Sequence, residues 1–256
     1  MGTSLLLTML LIYAGLCLAL YLMQRSMLYF PQARSAVPGT EVMRLQTEVE
    51  LVVTVAGRER PSALIYLGGN AEDVGQSVPE LAAAFPTHAI HALHYRGYGG
   101  SGGAPSEAAL VGDALALFDQ LQPRYADLVL IGRSLGSGVA VQVASQRKVA
   151  SLVLVTPFDS VENVAARHYP IFPVRWLLHD RFRSWQHAAA IEAPTLIVVA
   201  EQDRVIPPSH AEALRQHFPP GVARLETIPG ADHNDLSLHP RYWSLLGEWV
   251  AAAGVD

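Results

Sequence analysis

The chain of 256 residues has one cysteine, Cys17, and one lysine, Lys148. A single thiol closes no intrachain disulfide, and without a cysteine pair there is no thiolate zinc site. The redox compartment stays open, because a disulfide-free protein can work on either side of a membrane. With a formal net charge of −5 there is no basic field, which excludes nucleic acid as an expected partner. Internal repeats and long low-complexity tracts are also lacking.

No charged residue precedes Arg25, and residues 5–23 read LLLTMLLIYAGLCLALYLM. That run is just long enough to cross about 30 Å of hydrocarbon as a helix. A cleaved signal peptide would begin with a positive segment, which MGTS does not supply, and CLA at 17–19 is a poor cleavage site. An uncleaved single-pass membrane anchor over 1–26 is therefore expected, rather than a signal peptide or a buried helix. Arg25, Arg34 and Arg44 follow the run and none precede it, so the positive-inside rule favours the cytoplasm for the body, 27–256. MLYFPQ at 27–32 is expected to rest at the lipid interface or to pack on the folded body.

Beyond Pro38, apolar runs suited to buried strands alternate with segments of helical spacing. Strands are expected at 49–57, 62–69, 88–95, 127–132, 149–157, 195–203 and 223–230. Helices are expected at 78–85, 106–121, 135–145, 209–218 and 242–252, with Ser106 as an N-cap. This rhythm predicts an α/β domain with a mostly parallel sheet covered on both faces. Ligands in such sheets sit outside the carboxyl ends of the strands. The aromatic, proline-containing stretch 157–193 breaks the rhythm and reads as a small cap insertion above the sheet.

G-x-S-x-G, the pattern of a serine nucleophile on a sharp turn, occurs twice, at 132–136 and at 99–103. Gly and Ser are common enough that one match arises by accident in roughly one chain in ten of this size. Context separates the two. Ser134 follows a strand directly and opens a helix directly, the strand–turn–helix setting that presents a serine hydroxyl. Ser101 has no strand against it and is expected on a flexible loop near the rim.

A serine needs a base, and the base needs an orienting acid. Downstream of Ser134, Asp203 lies at the end of the strand at 195–203, and His233 follows the last strand. Serine, acid and histidine thus come in the order that sheet hydrolases use. Glu201 and Asp159 are rival acids. Asp232 and Asp235 read as loop-shaping, and His88, His91 and His94 as structural, since their spacing is that of a strand. The expected oxyanion donors are the backbone N–H groups of Leu135, next to the nucleophile, and Asn70 in GGNAEDV.

With these residues in place, the chain resembles the α/β-hydrolase fold superfamily of serine hydrolases from about Met27 onward. MLYFP, GGNAEDV, HYRGYGGSGGAPSE, GRSLGSGVA, TPFDSV, EQDRVIP and GADHND look in order like segments of its serine aminopeptidase-like branch, which includes membrane-tethered hydrolases and depalmitoylases. The resemblance implies Ser134, Asp203 and His233 as a catalytic triad. Many relatives carry His-Gly-Asn where this chain has Gly68-Gly69-Asn70, and depalmitoylases of the branch attach through a cysteine cluster where this chain has one cysteine. The expected activity is cleavage of carboxylic esters or thioesters through an acyl-enzyme on Ser134, with no metal or organic cofactor. A peptidase for short peptides with a free amino terminus, and a non-catalytic anchored binding module, are the alternatives. The expected partners are an acyl substrate and the membrane, held through the N-terminal helix. The oligomeric state is left open.

Overall fold

The computed structural model describes residues 2–253. The outer ends of the expected anchor and body, residue 1 and residues 254–256, lie outside the described residues. The apolar N-terminal run forms helix α1 (Gly2–Leu28), longer than the charge-free core because Gln24 to Leu28 continue the same turns. It has a mean hydropathy of 2.4 in its most apolar window, and none of its residues is buried. A helix of this length with an uncharged run over 5–23 matches a membrane span in length and composition.

The body is built on one eight-stranded sheet, in the order β1-β2-β4-β3-β5-β6-β7-β8. The strands are β1 (Glu41–Gln46), β2 (Glu50–Ala56), β3 (Ser62–Leu67), β4 (His88–Leu93), β5 (Leu128–Arg133), β6 (Ser151–Val155), β7 (Thr195–Ala200) and β8 (Ala223–Ile228). Only β2 runs against its neighbours, and all other pairs are parallel. The central strands β5, β6 and β7 are apolar at almost every position because helices cover both faces.

Side chains alternate between two cores. On one face Ala63, Ile65 and Leu67 meet α3 (Glu107–Leu121) and α4 (Leu135–Ala144). On the other, Leu64 and Tyr66 meet α2 (Val78–Ala84) and α9 (Pro240–Ala253). Ser106 caps α3 by accepting the Ala109 N–H at 3.3 Å. The first strand, β1, has no counterpart among the expected strands. Only Met43 and Leu45 of its six residues turn inward, and its charges hide the alternation.

Between β6 and β7 the cap segment carries α5 (Val161–His168), α6 (Val174–Leu177) and α7 (Ser184–His187). Its aromatics divide. Phe158 and Phe182 sink into the core, whereas Tyr169 and Trp176 are exposed. α8 (Pro208–Arg215) follows β7.

Candidate active site

Ser134 stands between β5 and α4 with φ 49° and ψ −115°, a left-handed backbone conformation that side chains rarely adopt. Such strain costs on the order of 1–3 kcal/mol and persists only where the surroundings enforce it. The flanking glycines allow the turn. A Cβ on Gly136 would lie 1.9 Å from the Leu67 carbonyl oxygen, and one on Gly132 would lie 2.5 Å from that of Gly136. Ser134 itself faces the cavity described below.

His233 brings Nε2 to 3.1 Å from the Ser134 Oγ, and its Nδ1 lies 2.7 Å from Asp203 Oδ2. The other Asp203 oxygen accepts the N–H groups of Val205 at 2.9 Å and Ile206 at 2.7 Å. Those bonds fix the carboxylate, and both Asp203 and His233 are buried. An imidazole held in this way can accept the serine proton during attack on a carbonyl and return it to the leaving group.

The rival groups are engaged elsewhere. Asp159 bonds His210 Nδ1 at 2.6 Å and also the Asn163 amide. Burial pushes its carboxyl up, but these two hydrogen bonds outweigh it and hold the group below the usual carboxylate range. Glu201 accepts the Gly230 N–H. Asp232 accepts the His233 N–H and Asp235 accepts that of Asp232, so both shape the histidine loop. His91 faces the Tyr125 hydroxyl and His94 that of Thr54, and burial pulls both imidazoles down to about 4. Ser101 differs from the expected flexible loop residue. It is buried, donates to the His94 carbonyl at 2.7 Å and accepts the Val52 N–H, so it pins the glycine loop to β2.

Asn70 and Leu135 line the same cavity as Ser134. Leu135 opens α4, so its N–H has no intrahelical acceptor, and the Asn70 N–H has no acceptor among the described residues. Glu72 holds the loop of Asn70: one oxygen accepts the Gly69 N–H at 2.7 Å, and the other accepts the hydroxyls of Tyr66 and Ser77. Arg133, 3.6 Å from Glu72, donates to the His233 carbonyl at 3.4 Å. The sequence pattern singles out neither residue, since Arg133 fills a free position of G-x-S-x-G and Glu72 has no motif of its own.

The cavity above Ser134 has a volume of about 310 Å³. Phe158, Phe172 and Ile206 line it together with Leu20, Met27 and Leu28 of α1. The segment 27–32 thus packs on the body: Asn70 donates to the Leu28 carbonyl at 2.6 Å and accepts the Phe30 N–H. Among the described residues, no carboxylate, ammonium or guanidinium group lines the cavity. Among the described residues no group of three or more His, Cys, Asp or Glu side chains converges to hold a metal ion.

Residues 100–244 match the family model described as an alpha/beta hydrolase domain. An uncharacterized protein of Mycobacterium tuberculosis is 33% identical over 248 residues, covering 89% of this chain and 86% of that protein. The chain belongs to the alpha/beta hydrolase family. Within the family, the alpha/beta hydrolase domain-containing protein aho-3 of Caenorhabditis elegans is 33% identical over 73% of this chain and 57% of its own length. Among solved structures, an esterase from Pyrococcus furiosus superposes with a TM-score of 0.71 at 18% identity, covering 88% of this hydrolase and 98% of the esterase. A monoacylglycerol lipase from Paleococcus ferrophilus gives 0.61 at 17% identity, over 80% and 99%. At such identities the two structures speak for the fold alone.

Proposed function

We propose that this hydrolase is a membrane-anchored serine esterase or thioesterase of the serine aminopeptidase-like branch. Ser134 is its nucleophile, His233 the general base and acid, and Asp203 the orienting group. The observation that carries the reading is the unbroken hydrogen-bond chain from Asp203 through His233 to the strained Ser134 at the floor of an apolar cavity. The serine oxygen attacks the acyl carbonyl while His233 takes its proton, and the N–H groups of Asn70 and Leu135 stabilise the oxyanion. The imidazolium protonates the departing alkoxide or thiolate. Water, deprotonated by the same histidine, then releases the acid.

The apolar lining favours an acyl group over a peptide with a free amine, because no carboxylate lines the cavity to receive an ammonium. Helix α1 supplies the anchor, supported by its length and by the uncharged run 5–23.

A fluorophosphonate probe tests the chemistry. The wild-type protein is expected to be labelled and Ser134→Ala not. Equal labelling of the two removes the serine mechanism. Carbonate extraction tests the anchor, and release of the full chain without detergent removes the span.

A further inference from the structure

Helix α1 is not free of the body along its length. The Tyr13 hydroxyl donates to the Ile171 carbonyl at 2.7 Å, and the Tyr13 ring stacks on Phe172. Near the other end, the Gln24 amide donates to the Leu177 carbonyl at 3.0 Å and accepts the His179 N–H at 2.7 Å, while Arg25 pairs with Asp180 at 3.1 Å. The cap segment 171–180 therefore runs alongside α1, in the same direction, from Tyr13 to Arg25.

These contacts fix a depth. The uncharged run 5–23 rises about 28 Å at ~1.5 Å per residue, which is the full hydrocarbon thickness. Tyr13 lies near its middle and Gln24 just past its end. If the run spans the bilayer, everything in the cap between the Tyr13 and Gln24 contacts lies within one leaflet. In that part of the cap Ile171 is 72% exposed and Trp176 86%, and Tyr169, just before it in the chain, is exposed as well. In water such exposure is unfavourable, whereas in a leaflet it is solvated. The pairing of the Tyr13 hydroxyl with a backbone carbonyl also satisfies two polar groups at mid-span. Arg175 is the only charged residue in 169–178, and its long side chain can reach the headgroups by snorkelling. The cavity is walled on this same side by Leu20, Gln24, Met27 and Leu28 of α1, facing Val174, Leu177 and other cap residues across it.

We propose that the rim formed by Tyr169, Ile171 and Trp176 is immersed in the leaflet beside α1, and that the cavity takes the acyl chain of a membrane-resident ester or thioester directly from that leaflet. The proposal rests on the anchored-hydrolase reading above. α1 is then part of the substrate site as well as a tether. The cavity of about 310 Å³ lies between α1 and the cap, with an apolar lining suited to an acyl chain.

Two measurements on the full chain in phosphatidylcholine vesicles test this. The first is tryptophan quenching by lipids brominated at mid-chain, compared between the wild type and Trp176→Phe. Strong quenching that is mostly lost in Trp176→Phe is expected. Equal quenching in both, or none, overturns the immersion whether or not the protein is an active hydrolase. The second compares hydrolysis of a long-chain monoacylglycerol held in the vesicles with that of soluble p-nitrophenyl acetate. The double variant Ile171→Gln, Trp176→Gln is expected to lose about tenfold on the vesicle ester and to keep acetate turnover. Equal retention of both activities overturns the leaflet route. A wild type that is quenched but is neither labelled by fluorophosphonate nor active on acetate overturns the hydrolase reading and, with it, the acyl route, while leaving the immersion in place.

Discussion

Asp203 Oδ2 meets His233 Nδ1 at 2.7 Å, across thirty residues of sequence and from two different loops at the carboxyl end of the sheet. The other carboxylate oxygen is already committed to the Val205 and Ile206 N–H groups, so only one oxygen is available to orient the imidazole. In Asp203→Asn the oxygen stays with those two N–H donors and the amide NH2 turns to His233, which selects the wrong tautomer. Ester turnover is expected to fall by about 10⁴-fold with KM little changed. Steady-state kinetics on p-nitrophenyl acetate measure it.

Asp159 occupies the rival position after β6 but serves His210. Asp159→Asn is expected to keep turnover within about threefold of the wild type. It weakens a buried carboxylate–imidazole pair, so the urea midpoint falls, by an amount corresponding to about 1–3 kcal/mol. If turnover collapses while the urea midpoint holds, the acid assignment moves from Asp203 to Asp159.

Glu72 holds the Gly69–Asn70 loop, the proposed oxyanion loop, through the Gly69 N–H. Glu72→Ala is expected to lower kcat by about 10²-fold at nearly constant KM, since the support acts on the transition state more than on ground-state binding. Glu72→Gln retains an acceptor and is expected to recover most of that loss. A purely structural role would show in the melting temperature of both variants and leave the ratio of kcat to KM effects unchanged.

The strained turn that carries Ser134 depends on Gly136. The Cβ of Gly136→Ala meets backbone of β3, and a backbone atom cannot step aside as a flexible side chain does. A loss of more than about 2 kcal/mol is expected, read from urea unfolding. Gly112→Ala, on the open side of α3 with nothing within 4 Å of its Cβ, is the control, and a stability equal to or above wild type is expected there.

His91 and His94 are held neutral by burial, with folded values of about 4 against about 6.5 in an unfolded chain. Between those values the unfolded chain binds more protons than the folded one, so stability rises with pH. Their neutral-state contribution is complete above about pH 6.5 and is lost as pH falls toward 4, roughly 3 kcal/mol for each imidazole. Urea midpoints measured at pH 7 and pH 4.5 are expected to differ less in His94→Gln than in the wild type.

The sequence by itself determined much of this protein. Near-continuous apolar strands alternating with helical spacing mark a buried parallel sheet, because a strand covered on both faces has no polar side. GRSLG between such a strand and a helix marks a tight turn, because only glycine fits beside two converging backbones. Asp203 and His233 stand out because each follows a strand of the same sheet. The tertiary structure decided the rest. It gave Asp203 rather than Asp159 to His233, buried Ser101 against β2, and joined Glu72 to Arg133 behind the Gly69–Asn70 loop. Each of those choices depends on distances between loops far apart in the chain, and no local periodicity encodes such distances. The same holds for α1. Its composition marks an apolar helix of spanning length, but only its contacts with the cap at Tyr13, Gln24 and Arg25 make it a wall of the cavity, because packing partners are set by the fold and not by hydropathy.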